Sequence, residues 1–140
     1  MAASPPENSK LTILLAEGEA PLRNLLQIIF EKAGFTLLIA EDGEEAVRLA
    51  HGHDGTIDLL VSNVQMPNMT GPDLAKSLKQ ARPGLRVLLI SGYPQGLLML
   101  DTGWWFLQKP FLPKAIVHKV HEVWQHLRDQ GARRVKQCLA

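Results

Sequence analysis

Residues 61–67 read Val-Ser-Asn-Val-Gln-Met-Pro. An apolar run ends there, an amide side chain stands at its tip as Asn63, and the chain turns at Pro67. Upstream, the run is IDLLVS (57–62), and four similar runs lie elsewhere: LTILLA (11–16), FTLLIA (35–40), LRVLLI (85–90) and WFLQ (105–108). They are nearly continuously apolar rather than alternating. That pattern predicts strands buried on both faces, as in a parallel sheet covered by helices.

Helical periodicity fills the intervals. Residues 21–33 put Leu22, Leu25, Leu26, Ile29 and Ala33 on one stripe, with Gly34 as the stop. Asp42 with Glu45 forms a capping-box pattern and opens a helix to about His51. Thr70 with Asp73 opens another, running to Ala81 and ended by Pro83-Gly84. Residues 113–128 put Val117, Val120, Trp124 and Leu127 on a last stripe. This alternation predicts a doubly wound α/β domain with a five-stranded parallel sheet. In such sheets function gathers at the carboxyl ends of the strands. The residues there are Glu17-Gly18-Glu19, Asn63, Ser91-Gly92 and Lys109-Pro110.

In order and spacing, VSNVQMPNMTGPDL, LLISGY and FLQKPF resemble the receiver domain of two-component response regulators, over about residues 10–128. The resemblance implies a (βα)5 flavodoxin-like receiver fold. It implies a pocket in which an acid pair and a third-strand Asp hold Mg²⁺ and that Asp takes phosphate. Ser91 and Lys109 match the hydroxyl and Lys that contact the phosphoryl group, Lys109-Pro110 matches a Lys-Pro bond that is usually cis, and Phe106 matches the aromatic switch.

Two positions depart from the pattern. Glu17 and Gly18 stand for the acid pair, and Asn63 stands for the phosphoacceptor. A neutral amide is barely nucleophilic, so an acyl phosphate on Asn63 is not expected. Mg²⁺ wants carboxylates in a near-octahedral array. Here only Glu17 and the Gln65 carbonyl remain, so no metal is expected to be held and no cofactor is implied. Glu17 and Lys109 leave the pocket formally neutral. A contact between them is expected, worth at most ~4 kcal/mol in raw Coulomb terms at an effective dielectric of ~20, and roughly 0–1 kcal/mol net if exposed.

The leading expectation is a pseudo-receiver: a non-enzymatic protein-protein interaction module whose partner is a sensor histidine kinase or a downstream effector, with homodimerisation open. The alternative is a conventional Mg²⁺-dependent phosphoacceptor in which Asn63 is engineered or incidental. Two departures in one pocket argue against it. A weaker alternative is a DNA-binding regulator. The Ser91–Lys109 interval of 18 positions is short for a receiver and predicts a shortened fourth helix. Trp104 and Trp105 follow it, one expected to close the core and the other open as an output surface.

Composition sets wider bounds. The 140 residues suffice for one domain, and 46% hydrophobic and 21% charged residues suit a globular protein. A net charge of +1 does not point to nucleic acid. Residues 1–10 read as a disordered arm without the apolar core of a signal peptide. Residues 129–140 read as a basic tail or linker, with Arg133, Arg134 and Lys136 but no interleaved aromatics. No run reaches the roughly 20 apolar residues of a membrane span, and the lone Cys138 suits a reducing cytoplasm. His51 with His53 and His118 with His121 are spaced to share a metal but lack a third ligand nearby, and read as surface histidines.

Overall fold

A computed structural model describes residues 11–92 and 104–125. The elements are β1 (Thr12–Ala16), α1 (Ala20–Lys32), β2 (Thr36–Ala40), α2 (Gly43–Gly52), β3 (Leu59–Asn63), α3 (Gly71–Ala81), β4 (Arg86–Ser91) and β5 (Trp105–Gln108). A C-terminal helix follows at 113–125. The five strands form one parallel sheet in the order β2-β1-β3-β4-β5. This is the flavodoxin-like order, whose switch point lies between β1 and β3. The expected fourth helix, the N-terminal arm and the basic tail lie outside the described residues.

Strand alternation divides the core into two layers. Ile13, Leu15, Val61, Leu88 and Ile90 face one side, under Leu26 and Phe30 of α1 and Ile116 and Val120 of the C-terminal helix. Leu14, Leu60, Val87 and Leu89 face the other, under Ala46 of α2 and Leu74 and Leu78 of α3. Both faces of β1, β3 and β4 are therefore dry, which is why their sequences do not alternate.

The expected N-caps form, while the reciprocal half of the capping box shifts by one residue at Asp42. The Asp42 carboxylate accepts from the Glu45 backbone N–H at 2.8 Å. The Glu45 carboxylate accepts from the N–H of Glu41 at 2.7 Å, one residue before the position of an ordinary capping box. Thr70 Oγ1 accepts from the N–H of Asp73 at 3.2 Å. Gly34 ends α1 at φ 93, a conformation that favours glycine.

Two stripes are corrected. On α1 the buried residues are Leu26, Ile29 and Phe30, whereas Leu25 is 48% exposed and Ile28 51% exposed. On the C-terminal helix the buried stripe is Ile116, Val120 and Val123, with Val117 and Trp124 only partly covered. On α1 only Leu25 is misplaced, since Leu22 and Ala33 pack against the same core, whereas the C-terminal set shifts by one position, from Val117 and Trp124 to Ile116 and Val123, and Leu127 lies outside the described residues. Periodicity fixes that a helix has an apolar face, and a two-helix layer decides how far round that face is covered.

At the opposite end of the sheet, Asp58 Oδ2 accepts from the N–H of Thr12 at 2.8 Å, tying the start of β3 to β1. The Arg86 guanidinium lies 4.5 Å from the Trp124 ring centre. Burial lowers the pKa of Arg86 from its ordinary value, and the Asp58 carboxylate acts in the opposite direction.

Candidate functional site at the carboxyl end of the sheet

The site begins where β1 and β3 end side by side. Their register pairs Ala16 with Ser62, so the next residue of each chain, Glu17 and Asn63, emerges at the same level. Both are buried: Glu17 is 1% exposed and Asn63 9%. A buried carboxylate is costly unless hydrogen-bonded. Glu17 Oε2 accepts from the backbone N–H of Glu19 at 3.0 Å and from Asn63 Nδ2 at 3.3 Å. Glu17 Oε1 is buried with no hydrogen-bond partner among the described residues.

The Asn63 amide is oriented by its two unlike ends. Its N–H faces Glu17, while its Oδ1 accepts from the backbone N–H of Gln65 at 3.4 Å. A carboxylate at this position would set oxygen against oxygen toward Glu17. An amide instead bridges the two strands without a cation. The contact of Gln65 with the site is thus through its N–H. No group of three His, Cys, Asp or Glu side chains converges anywhere among the described residues. With Glu17 as its one carboxylate and an N–H donor already on Oε2, the donor set does not fit Mg²⁺.

The expected Glu17–Lys109 contact is a correction: among the described residues no ion pair joins them. Lys109 follows β5, and β3 and β4 lie between it and β1. Three strand spacings of about 4.8 Å separate the two strand ends, and the Glu17 carboxylate is held by Asn63 and Glu19. Lys109 is fixed instead through its backbone, whose N–H donates to the Ser91 carbonyl at 2.8 Å. The Lys109-Pro110 bond is cis, as the resemblance implied. Ser91 is buried at the end of β4. Phe106 is half-buried against the α2–α3 layer.

Trp104 is 8% exposed and belongs to that same layer, so it offers no output surface. Trp105 points to the other layer, partly covered, with Lys119 Nζ 5.5 Å from its ring centre. Consecutive strand residues face opposite sides, which is why only one of the pair could fill the α2–α3 layer.

Gly18 leaves space rather than filling a need for glycine. A Cβ there would lie 3.4 Å from Pro67 Cδ and 3.7 Å from the Glu41 carbonyl, ordinary contact distances. Gly71 is different. A Cβ there would lie 2.5 Å from the Asn63 carbonyl oxygen and 3.1 Å from Ser62 Oγ. The start of α3 is thereby pressed onto the strand end, with the Gly71 N–H on the Val64 carbonyl at 2.9 Å. Gly71→Ala is expected to destabilise the fold by about 2–3 kcal/mol, because backbone has to move. Urea unfolding reads this directly, and a loss below about 0.5 kcal/mol would contradict the close approach.

Sequence reasoning missed Arg23. Its Nη1 donates to the Glu17 carbonyl at 2.9 Å and more weakly to the Gly18 carbonyl at 3.5 Å. Its Nη2 lies 3.5 Å from Glu41 Oε1. The guanidinium thus straps the β1–α1 loop to the loop after β2. The available signal was a cation in the first turn of a helix that has no acid there, where the helix dipole disfavours positive charge.

The model of the response regulator receiver domain matches residues 13–121. The sensor kinase CckA of Brucella abortus is 33% identical over 116 residues, covering 80% of this chain and 12% of that protein. The transcriptional regulatory protein CpxR of Escherichia coli K12 is 32% identical over 114 residues, covering 79% of this chain and 48% of that protein. The chain therefore spans less than half the length of both curated relatives. The crystal structure of the receiver domain from the hybrid histidine kinase CckA superposes with a TM-score of 0.70 at 37% identity, covering 80% of this chain and 97% of that one.

Proposed function

The chain belongs to the response regulator receiver domain family, and we propose that within two-component signalling it is a phosphate-independent protein-interaction module rather than a phosphoacceptor. The observation that carries this reading is the hydrogen bond from Asn63 Nδ2 to Glu17 Oε2. It links the two strand ends directly, at the point where a family pocket would link them through a metal. The same amide withholds the nucleophile. The module has no catalytic residue and needs no Mg²⁺. No helix among the described residues is long and apolar enough to cross a membrane. The module's partner is a sensor kinase or a downstream effector, in keeping with the kinds of protein that contain similar sequences.

The test is direct. The pure protein is titrated with Mg²⁺ while tryptophan fluorescence is followed. It is then incubated with acetyl phosphate, and in parallel with beryllofluoride, and its intact mass is read. The expected result is no saturable Mg²⁺ response and no phosphoryl adduct. A labile adduct that needs Mg²⁺ would sink the proposal and favour a conventional switch with another acceptor.

A further inference from the structure

At the amino end of the sheet, residues from 54–58 and from 82–86 line a cavity of about 370 Å³. Asp58 immediately precedes β3 and Asn63 ends it, so at about 3.3 Å per residue this cavity lies about 16 Å from the Glu17–Asn63 pair. Ile57 and Leu85, both buried, supply its apolar surface. Its charged lining is Asp54, Asp58, Arg82 and Arg86, formally neutral in sum.

The four charged groups differ in what they still offer. Arg82 is fully engaged with its own loop: Nη1 donates to the Gly55 carbonyl at 2.9 Å, and Nη2 to the carbonyls of Ala50 and His53 at 2.9 and 2.8 Å. Asp58 gives Oδ2 to the Thr12 N–H and keeps Oδ1. Asp54 is exposed. Arg86 is the unusual one. Its Nε is buried without a hydrogen-bond partner, and no ion pair joins its guanidinium to Asp58 among the described residues. Burial outweighs the Asp58 charge in its effect on this guanidinium. The group has therefore given up water without gaining a full acceptor in exchange. Trp124 covers it at 4.5 Å, and the Trp124 Nε1 is likewise buried without a partner. Stacking occupies the flat face of a guanidinium and leaves its N–H edge, which is the edge that takes a carboxylate.

We propose that this cavity binds a small zwitterion of the α-amino acid class, with its carboxylate on the Arg86 guanidinium, its ammonium on Asp54 and Asp58, and a short apolar side chain against Ile57 and Leu85. The two acids in the lining repel phosphate and other multiply charged anions, and the two arginines repel a bare cation. A ligand carrying both charges a few ångströms apart meets a counter-charge at each end. Arg86 and Asp58 are near enough to influence one another and yet unpaired, which leaves both for the ligand. The site would give the chain a small-molecule input at the end of the sheet away from the carboxyl-end pocket. It goes beyond the interaction-module reading and shares no residue with it.

The probe is L-valine, titrated into the isotope-labelled full chain. Backbone amides, the Arg86 Nε–H and the Trp124 indole N–H are followed. Two controls each lack one charge: isovalerate is valine without its amino group, and isobutylamine is valine without its carboxylate. Saturable binding of valine is expected at or below about 10 mM, with shifts concentrated in residues 54–58 and 82–86. Each control is expected to bind about tenfold more weakly or worse. Arg86→Gln should weaken valine about tenfold or more, and Arg86→Lys, which keeps the charge and loses the fork, should recover part of that loss. Asp54→Asn should weaken valine about threefold and leave isovalerate unchanged. Asp54 is exposed, so this variant keeps the fold and stays decisive even where a change at Arg86 disturbs packing on Trp124.

Absence of saturable shifts at about 10 mM valine would overturn the proposal. Equal binding of valine and isovalerate would do the same, because the cavity would then be a plain carboxylate site. So would shifts centred on another part of the chain, or valine binding indifferent to both Arg86→Gln and Asp54→Asn. The readout needs neither Mg²⁺ nor phosphate, so its failure leaves the carboxyl-end pocket to its own test, and the reverse holds too.

Discussion

The double variant Gly18→Asp, Asn63→Asp is expected to bind Mg²⁺ and to gain a labile phosphoryl group from acetyl phosphate, where the native chain is expected to do neither. The two changes turn a site with the single carboxylate of Glu17 into one with three carboxylates. Each added carboxylate near a divalent cation should contribute about tenfold or more in affinity, the equivalent of ~1.4 kcal/mol. The backbone can accept both changes. Asn63 is replaced by a nearly isosteric side chain, and a Cβ at position 18 meets only ordinary contacts with Pro67 and Glu41. The rest of the family pattern is in place: Ser91 buried at the end of β4 and Lys109 before a cis proline. Isothermal titration with Mg²⁺ and intact mass are the measurements. If the double variant stays inert to both, the pocket was lost for a reason other than these two side chains, and Asn63 would not be the deciding residue.

Asn63→Asp alone should do something different. In the absence of divalent ions it is expected to destabilise the fold by about 2–4 kcal/mol at neutral pH. The change removes a charge-assisted hydrogen bond worth about 1.5–3 kcal/mol. It also places a carboxylate oxygen where Nδ2 now lies, 3.3 Å from Glu17 Oε2. Two unit charges at that distance repel by ~5 kcal/mol at an effective dielectric of ~20, before relaxation reduces it. Adjacent like charges drive one carboxyl toward protonation. A carboxyl whose pKa is raised in the folded state keeps its stability contribution at low pH and loses it as pH rises. The variant's deficit relative to the native chain should therefore shrink as the pH falls. Urea unfolding of both proteins across the acid range measures it. A deficit that is absent at neutral pH, or that grows on acidification, would show that Asn63 and Glu17 are not coupled as the geometry has them.

Much of the fold was legible in the chain because it rests on local chemistry. Asp42 and Thr70 cap helices through their own side chains. Runs such as LLVSN and RVLLIS are apolar throughout because their strands are covered on both faces. The exposed ridge of Leu25 and Ile28 was not legible, since an apolar stripe does not say how much of itself a neighbouring helix will cover. The division of labour between Trp104 and Trp105 was equally hidden. It follows from which side of the sheet each residue faces where the chain enters β5, and adjacent residues of one type carry no mark of that.

The site divides in the same way. The sequence by itself determined that position 63 is an amide and position 18 a glycine at the carboxyl ends of β3 and β1, so that neither position carries a carboxylate. Composition and order were enough, because a missing carboxylate is a covalent fact. Only the tertiary structure decided which partners the remaining groups take. Glu17 turns to Asn63 and the Glu19 N–H rather than to Lys109, and Arg23 straps the loop carbonyls. Those partners lie on adjacent strand ends or one helical turn away, whereas Lys109 stands across β3 and β4. Distance across a folded sheet, which the linear chain does not record, chose between them.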